Sequence, residues 1–412
     1  MSRPEGLAER PSPPALLSID EALALVEAHV TPLPPEEVAL EHAYGRYIAE
    51  DLRAAIDLPP FASSAMDGYA LRAEDSPGQL TVVGESSAGS PYLGALAPGE
   101  AVSISTGAVV PPQADAVVPI EDVRGGGSDQ IELASGVAPG AFVRDRGSDM
   151  KRGDRILSAG TRLGSAQIGA AAAVGLGVVS CRRRPSVAVL TTGSELRRPG
   201  GQLAAGEIYD ANGPMMTAAL LTSGAGVEHI PAAADTLEAH RTALTTALEH
   251  DVVISSGGVS VGPHDLVRSV ERELGVTEVF WRIALRPGKP LAFGVRGSTL
   301  VFGLPGNPVS SLVCFELFVR PALLALQGAP HVRPAWSRGV LGAAVEPQQT
   351  RDDLIRVRVD EGEGSPVLLP VHGQQSHQIA ITAQADGLAR IPAGTVALPA
   401  GTEVAYLSLV RF

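Results

Sequence analysis

Residues 251–265 read Asp-Val-Val-Ile-Ser-Ser-Gly-Gly-Val-Ser-Val-Gly-Pro-His-Asp. The first five form a short apolar run of the kind that makes a strand buried on both faces. A loop rich in glycine and serine follows, and the sequence then predicts a helix from about His264 to Leu274. A buried strand that ends in such a loop and continues into a helix is the building unit of an α/β sheet.

The same alternation of strand and helix extends in both directions along the chain. Further strands are predicted at Ser186 to Leu190, Val227 to Ile230, Thr277 to Ala284, Leu291 to Val295 and Leu300 to Phe302. Further helices are predicted at Asn212 to Leu221, Asp235 to about Glu249 and Val309 to Leu326. Strands and helices at this spacing predict a three-layer α/β domain, with a parallel sheet between two layers of helices.

Short β-rich runs separated by turn residues lie on both sides of this central domain, so the fold class is multi-domain α/β. The predicted division is a flexible tail at 1–15, a mixed α/β linking subdomain at 16–51 and 141–180, an inserted β subdomain at 52–140, the α/β domain at 181–329 and a C-terminal β-barrel-like domain at 330–412.

The composition is that of a folded protein, because 45% of the 412 residues are hydrophobic and 19% are charged. The formal net charge of −13 disfavours general binding to nucleic acid or to an anionic membrane surface. The N-terminal stretch lacks the apolar segment of a secretory signal, and Cys181 and Cys314 are not in CxxC spacing. We therefore expect a cytoplasmic protein with two buried, reduced thiols and no nucleic-acid or membrane partner.

Ligands of an open α/β sheet bind beyond the carboxyl ends of its strands. Three loops rich in glycine or serine begin there, at Thr191, Ser256 and Gly303. They offer backbone N–H groups, hydroxyls and helix N-termini, all of which favour an anion. None has the GxxxxGK[ST] or GxGxxG pattern, so those two phosphate-binding motifs are excluded. Each loop taken alone is also compatible with an ordinary turn.

Full positive charge comes from Arg286 and Lys289, which stand between two predicted strands, and from Arg282 near the end of the first of these strands. Only Lys151 and Lys289 are lysines among 32 basic residues. A compact, strongly hydrated point charge suits a phosphate or oxyanion site, which is a physical reason for a lysine at position 289.

Five acidic residues stand in Gly/Ser-rich or cap-like contexts: Asp67, Asp149, Glu195, Asp235 and Asp265. Carboxylates beside a phosphate typically hold a bridging divalent ion, most simply Mg²⁺. Two of them have a second interpretation, because Asp235 forms a capping box with Glu238 and Asp67 precedes a glycine as a turn residue does. No histidine pair has HExxH spacing, and no serine stands in a GxSxG elbow.

Seven segments occur in an order and spacing that are specific: FASSAMDGYAL, STGAVVP, TTGSEL, GEIYDAN, DVVISSGGVSVGPHD, RPGKPLAFG and GLPGNPVSS. With them the chain, from about residue 17 to 412, resembles the MoeA-type molybdopterin molybdenumtransferases. The eukaryotic relatives of that family are the E domains of gephyrin-like proteins.

The resemblance implies the last step of molybdenum cofactor biosynthesis. Adenylylated molybdopterin binds with molybdate, the phosphoanhydride is cleaved, AMP leaves, and molybdenum enters the dithiolene with the help of Mg²⁺. It also implies that the central domain binds molybdopterin. The expected assembly is an L-shaped homodimer whose active site lies between the α/β domain of one subunit and the β subdomain of the other. Other proteins of molybdenum cofactor biosynthesis are expected partners.

Matched motif by motif, the resemblance implies a role for each candidate residue. The catalytic set is Asp67, Thr106, Asp149 and Glu195, and the metal set is Asp67, Glu195, Asp235 and Asp265. The set that binds the pterin phosphate or anion is Ser256, Gly257, Gly258, Ser260, Asp235, Asp265, Arg282, Arg286, Lys289, Pro305, Pro308 and Ser376.

The chain departs from the family pattern at three positions. Arg282 and Arg286 stand where family members often have lysine, which replaces a point charge by a planar fork. Ala62 stands where an acid is common.

Three alternatives remain open from the sequence alone. The adenylyltransferase paralogue shares the α/β domain, but the β regions at 52–140 and 330–412 argue against it. A gephyrin-type scaffold needs a partner surface near the C-terminal domain, where the sequence has no large amphipathic or aromatic stripe. A tungstate preference is also open, since molybdate and tungstate have nearly the same size and charge.

Overall fold

The computed structural model describes residues 16–230, 236–257, 266–348, 350–362 and 364–409. Its α-helices are α1 (Ile19–Glu27), α2 (Ser165–Ala173), α3 (Asn212–Thr222), α4 (Leu237–Ala247), α5 (Leu266–Glu273), α6 (Pro308–Cys314), α7 (Arg320–Leu326) and α8 (Ile379–Thr382). Its strands are β1 (Pro35–Ala39), β2 (Leu52–Arg53), β3 (Ser63–Ser64), β4 (Gly68–Leu71), β5 (Gly78–Ser86), β6 (Glu100–Ile104), β7 (Ala116–Pro119), β8 (Gln130–Leu133), β9 (Val143–Arg144), β10 (Arg155–Leu157), β11 (Val178–Arg182), β12 (Ser186–Thr191), β13 (Leu196–Arg197), β14 (Ile208–Tyr209), β15 (Gly226–Ile230), β16 (Val252–Ser256), β17 (Thr277–Trp281), β18 (Leu285–Arg286), β19 (Ala292–Arg296), β20 (Thr299–Leu304), β21 (Trp336–Leu341), β22 (Asp352–Asp360), β23 (Val367–Pro370), β24 (Gly387–Ile391) and β25 (Glu403–Ser408).

The chain folds into two compact units. One comprises Glu37–Cys181, and the other comprises Met1–Glu36 together with Arg182–Phe412. The finer division into subdomains stays a prediction.

The larger unit is built on the predicted α/β sheet. Its six strands have the order β15-β12-β16-β20-β19-β17. The first four are parallel to one another, while β19 and β17 add an antiparallel edge. The predicted three-layer architecture is therefore confirmed, with a sheet that is mixed rather than wholly parallel.

Alternate residues of each parallel strand serve opposite faces of this sheet, as the period of two in a strand requires. Val187 and Val189 of β12 belong to the core that also contains residues of α3 and of the run from α6 to α7. Ala188 and Leu190 belong to a second core with residues of α4 and α5. Burial on both faces explains why these strands are continuous apolar runs in the sequence.

A single helical run at Pro308–Leu326 contains α6, a π-helical turn at Phe315–Val319 and α7. It is long and apolar enough to cross a membrane, with a mean hydropathy of 1.8 over its most apolar window. However, 83% of that window is buried within the protein, as in the core helix of a folded domain. Its hydrophobicity is therefore accounted for by packing against the sheet.

The C-terminal strands form the predicted barrel. The pairing runs β22-β23-β21-β25-β24 and returns to β22, so five strands close on themselves. Inward-facing residues such as Val357, Leu368 and Tyr406 fill the interior. The short strand β18 extends this sheet, because Leu285 and Arg286 pair in parallel with Asp352 and Asp353.

The smaller unit contains a five-stranded sheet in the order β7-β4-β6-β5-β8. The apolar runs of this region predict several of its strands. Residues 63–70 have no strand periodicity and predict a loop, and that prediction is wrong, because they contain β3 and most of β4. Gly68 begins β4, and a side chain there would place its Cβ 1.9 Å from Val118 O. The absence of a side chain at Gly68 therefore lets β4 lie close to β7 directly after Asp67.

Two predicted helix starts have different outcomes. Ser18 and Glu21 have capping-box spacing in the sequence, and the helix start that this predicts is confirmed, since each residue's side chain hydrogen-bonds the other's backbone N–H. In α4 the N-cap is Thr236, whose hydroxyl accepts from Ala239 N–H at 3.3 Å. This is one residue later than the predicted cap, Asp235, which lies outside the described residues.

Asp251 holds together the amino ends of β12 and β16. One carboxylate oxygen accepts hydrogen bonds from the backbone N–H and the hydroxyl of Ser186, at 2.7 and 2.8 Å. Both oxygens also pair with the Arg183 guanidinium, at 2.9 and 2.7 Å. Burial raises the pKa of the Asp251 carboxyl, but the hydrogen bonds from Arg183 and Ser186 outweigh burial and hold that pKa below its usual range.

We expect Asp251→Asn to lower the free energy of unfolding by about 2 kcal/mol, as is typical of lost hydrogen bonds to a charged group. Because the folded-state pKa is depressed, this stabilisation is complete above the usual carboxyl pKa and is lost as the pH falls through the folded value. Urea unfolding across the acid range measures both effects. Asp360→Asn, an exposed residue at the end of β22, is the matched control. Equal stability and equal acid dependence of the two variants would contradict this role.

Candidate functional site

The strand register places three loops side by side at the carboxyl edge of the sheet. Ser256, the last residue of β16, lies opposite Thr191 of β12 and Leu304 of β20. Just beyond, Thr192 N–H donates to Ser256 O and Gly257 N–H donates to Leu304 O, both at 3.2 Å. The prediction that these loops begin side by side at one edge of the sheet therefore agrees with the backbone register.

Gly257 is the point at which the loops come closest. Its φ of +97° lies in the left-handed region that other residues seldom adopt. A Cβ at Gly257 would stand 3.0 Å from Thr192 O, and one at Gly306 would stand 3.8 Å from the Gly257 Cα. Glycine at position 257 thus leaves the backbone itself to form the surface of this edge.

Asn212, which the sequence did not single out as a site residue, connects these loops. Its side-chain Nδ2 lies 2.7 Å from Ser256 Oγ and 2.7 Å from Gly306 O. Asn212 is the first residue of α3 and is only 9% exposed. The only sequence feature that could have pointed to Asn212 is its place in the GEIYDAN segment, which belongs to the family resemblance and is not a local structural pattern.

The loop after β20 is fixed at both ends. Pro305 is buried, and its carbonyl accepts a hydrogen bond from the Ser311 hydroxyl. Pro308 begins α6. Ser376 joins this loop from the C-terminal region, since its Oγ accepts from Asn307 Nδ2 at 2.9 Å and its carbonyl from Val309 N–H at 3.2 Å. The predicted site residues Pro305, Pro308 and Ser376 are thus neighbours.

The two arginines that replace lysines have defined partners. The guanidinium of Arg282 stacks on the Trp281 ring with its Cζ 3.7 Å from the centroid, and that of Arg268 lies 4.1 Å away. Two like charges can approach one ring this closely only from its two faces, and a planar guanidinium stacks better than an ammonium. Arg282 also has φ +75°, which turns it out of the strand.

Arg286 and Lys289 differ in their surroundings. Arg286 Nη1 donates to Asp353 Oδ2 at 3.0 Å, and that carboxylate is buried. Lys289 is exposed. Lys289 is therefore the more accessible of these two cations.

Arg356 is a second residue that sequence reasoning missed. It is 1% exposed, and its guanidinium donates to the carbonyls of Gly373 and Gln375 at 2.8 and 3.2 Å, next to Ser376. Its Nε has no hydrogen-bond partner in the described part of the chain. Burial, and secondarily the charge of Arg286, lowers the pKa of the Arg356 guanidinium. No local pattern distinguishes this arginine, which lies within the strand β22.

The predicted acidic residues are exposed where they are described. Glu195 folds back over Gly193, whose Cβ would stand 2.7 Å from either carboxylate oxygen. In the smaller unit, Asp67 Oδ1 accepts from Thr106 N–H at 2.7 Å, so these two predicted residues are neighbours. Asp149 lies in an exposed turn of the same unit, with its N–H bonded to Leu58 O at 3.0 Å.

Four predicted residues, Asp235, Gly258, Ser260 and Asp265, lie outside the described residues. In the ranges that are described, no group of three or more His, Cys, Asp and Glu side chains could hold a metal ion. Cys181 and Cys314 are buried, as expected, and form no disulfide in the described part of the chain; burial raises the pKa of the Cys314 thiol. Chemically, the described part of the carboxyl edge offers the Ser256 hydroxyl at the end of β16, and Arg282 follows β17 of the same sheet; both groups suit an anion.

Comparison with known families covers almost the whole chain. Residues 17–175 match the family model described as MoeA N-terminal region (domain I and II), residues 188–325 the probable molybdopterin binding domain, and residues 338–409 the MoeA C-terminal region (domain IV). The chain belongs to the MoeA family.

Named relatives agree with that membership. The chain is 35% identical over 400 residues to molybdopterin molybdenumtransferase 2 of Mycobacterium tuberculosis, a match that covers 94% of this chain and 98% of the relative. It is 38% identical over 319 residues to the molybdopterin molybdenumtransferase of Haemophilus influenzae, covering 76% of this chain and 78% of the relative. Among solved MoeA structures, one from Pyrococcus horikoshii has a TM-score of 0.83 at 35% identity, with 97% of this chain and 100% of that chain covered.

The stack of Arg282 on Trp281 gives a direct test of where anions bind. In a Trp336→Phe variant, Trp281 is the only tryptophan left of two. We expect AMP to change the emission of Trp281 in a saturable way, because a bound anion alters the guanidinium on the ring. Adding Arg282→Gln should weaken AMP binding about tenfold, the usual effect of losing a charge-assisted contact.

Arg390→Gln in the same Trp336→Phe background is the matched control, since Arg390 lies beside position 336, 5.6 Å from the ring centroid of the original Trp336, and not on Trp281. Binding of AMP that calorimetry detects without any change in Trp281 emission would place the anion away from Arg282.

Proposed function

We propose that this MoeA-family protein transfers molybdenum from molybdate to adenylylated molybdopterin, releases AMP and so completes the molybdenum cofactor. The observation that carries the proposal is the identity of 35% to a molybdopterin molybdenumtransferase along 94% of this chain and 98% of that relative. A match of that extent spans nearly the whole length of both chains.

The proposed anion-binding edge suits such a substrate. Adenylylated molybdopterin carries a phosphoanhydride, and molybdate is itself a dianion. The hydroxyl of Ser256 would bind a phosphate oxygen, together with Gly258 and Ser260 of the same loop. Arg282, Arg286 and Lys289 would neutralise the charge that develops on the leaving AMP, as cations do in phosphoryl transfer. Pro305, Pro308 and Ser376 would form the adjoining wall.

The same proposal includes a Mg²⁺ ion bound by the acidic residues. This ion is usually held by one or two carboxylates together with substrate phosphates, so it needs no cluster of protein ligands. The exposed carboxylates of Asp67 and Glu195 have the oxygen donors it prefers, and Asp235 and Asp265 are further candidates. Bound there, the ion would polarise a phosphoryl oxygen. Thr106 would hold Asp67 in place through its N–H, and Asp149 would order molybdate.

Residues of both compact units take part in this proposal. In keeping with the family resemblance, we propose a homodimer in which the Asp67 loop of one subunit completes the sheet edge of the other. Cytoplasmic location and contact with other proteins of molybdenum cofactor biosynthesis belong to the same proposal.

We expect Asp67→Asn and Glu195→Gln each to lower the rate of AMP release by about 100-fold, the scale of one lost electrostatic or acid–base group. Purified protein is assayed with adenylylated molybdopterin, molybdate and Mg²⁺, and the reaction should stop when EDTA removes the metal. Glu85→Gln, an exposed residue of β5, is the control.

Two results would contradict the proposal. If both acidic variants turned over as fast as the unchanged protein, the assigned site would be wrong. If the protein instead transferred AMP from ATP to molybdopterin, the activity would be that of the adenylyltransferase paralogue.

A further inference from the structure

The side-chain amide of Asn212 has a contact pattern that the proposed activity does not by itself explain. Nδ2 lies within 2.7 Å of both Ser256 Oγ and Gly306 O. Oδ1 is buried and has no hydrogen-bond partner in the described part of the chain. A buried polar atom without a partner is costly unless a ligand or ordered solvent completes it.

The orientation of this amide follows from its partners. A backbone carbonyl oxygen can only accept, so the nitrogen and not the oxygen of Asn212 faces Gly306. The second hydrogen of the same nitrogen is then directed to Ser256 Oγ. An amide nitrogen cannot accept a hydrogen bond, so Ser256 Oγ is the acceptor in this pair.

This assignment makes the Ser256 hydroxyl an acceptor toward Asn212 and leaves its hydrogen to be donated elsewhere. Its oxygen is engaged by Asn212, and within the described ranges no acceptor takes its hydrogen. Ser256 ends β16 at the carboxyl edge, directly before Gly257. The hydrogen therefore remains available to an acceptor beyond the strand, and a phosphate oxygen is the strongest acceptor for it.

We infer that Asn212 is a positioning residue that makes the Ser256 hydroxyl a hydrogen-bond donor to a substrate phosphate and ties the Gly306 loop to the same edge. The inference rests on the proposed function, which brings a phosphate to this loop. Asn212 does not touch the reacting atoms and acts through Ser256.

The start of α3 is packed in a way that holds Asn212 in this position. Asp210 Oδ1 accepts from Gly213 N–H at 2.9 Å. A Cβ at Gly213 would stand 2.6 Å from Asp210 Oδ2 and 2.7 Å from His229 Nε2. Glycine next to Asn212 therefore lets the helix end press against Asp210 and His229, which leaves the amide little freedom to turn.

Asn212→Asp is the sharpest substitution, because the side chain keeps its size but an ionised carboxylate can only accept. It would draw the Ser256 hydrogen inward and repel Gly306 O. We expect KM for adenylylated molybdopterin and the dissociation constant of AMP to rise about 10- to 100-fold, the range for one charge-assisted hydrogen bond, with kcat changed less than about threefold.

The action through Ser256 is tested by a double-mutant cycle. Ser256→Ala should itself weaken AMP binding, and adding Asn212→Asp should then cost less than about threefold more, because the hydroxyl it controls is gone. Gln327→Glu is the matched control, since this buried amide donates to Ser223 O and Leu323 O, both at 2.9 Å, away from the edge. It should lower the melting temperature and leave AMP affinity unchanged.

Each outcome decides the inference. Unchanged AMP affinity in a folded Asn212→Asp protein, or an effect that multiplies fully with Ser256→Ala, would overturn it. If the Asp variant does not fold, Asn212→Ala introduces no charge and should show the same non-additivity with a several-fold effect.

If the unchanged protein releases no AMP from adenylylated molybdopterin, the proposed function fails, but calorimetry with AMP still decides the role of Asn212. Lack of AMP binding to the unchanged protein overturns both.

Discussion

The parallel register of β12, β16 and β20 is the constraint on which the functional edge depends. Thr191, Ser256 and Leu304 lie side by side, so the three strands end at one level and their loops begin together. A shift of one residue in any strand would move each side chain to the opposite face of the sheet. The two hydrophobic cores, which each pack one face, therefore stabilise the observed register. The packing of Val and Ile residues thus fixes the positions of Ser256 and Gly257, although neither residue belongs to the hydrophobic core.

Charge is distributed so that a strongly acidic protein presents a local cationic surface. The net charge is −13, yet Arg282, Arg286 and Lys289 follow one another within a short segment. Arg282 is held by stacking on Trp281, and Arg286 is held by Asp353 of the barrel. These partners orient the guanidinium groups, and a planar guanidinium suits both a stacked ring and a carboxylate better than an ammonium would.

Much of this could be predicted from the sequence, because apolar runs and glycine-rich loops are local signals. The strand at β16, the helix at α3 and the loop at Gly257 are of this kind. Asn212 and Arg356 are not, since their partners are distant in sequence: Asn212 contacts residues 44 and 94 positions away. The strand β4 was missed because its four residues begin with Gly68 directly after Ser63, Ser64 and Asp67, a composition that resembles a loop. The family resemblance, in contrast, was visible in the motifs and is confirmed.

A crystal structure of the protein soaked with AMP and molybdate tests the central claim most directly, namely that the carboxyl edge of the sheet is the phosphate site. The account predicts a phosphate oxygen within about 3 Å of Ser256 Oγ, the normal hydrogen-bond range, with Arg282 or Lys289 alongside. AMP bound at another surface, with this edge filled only by water, would contradict it.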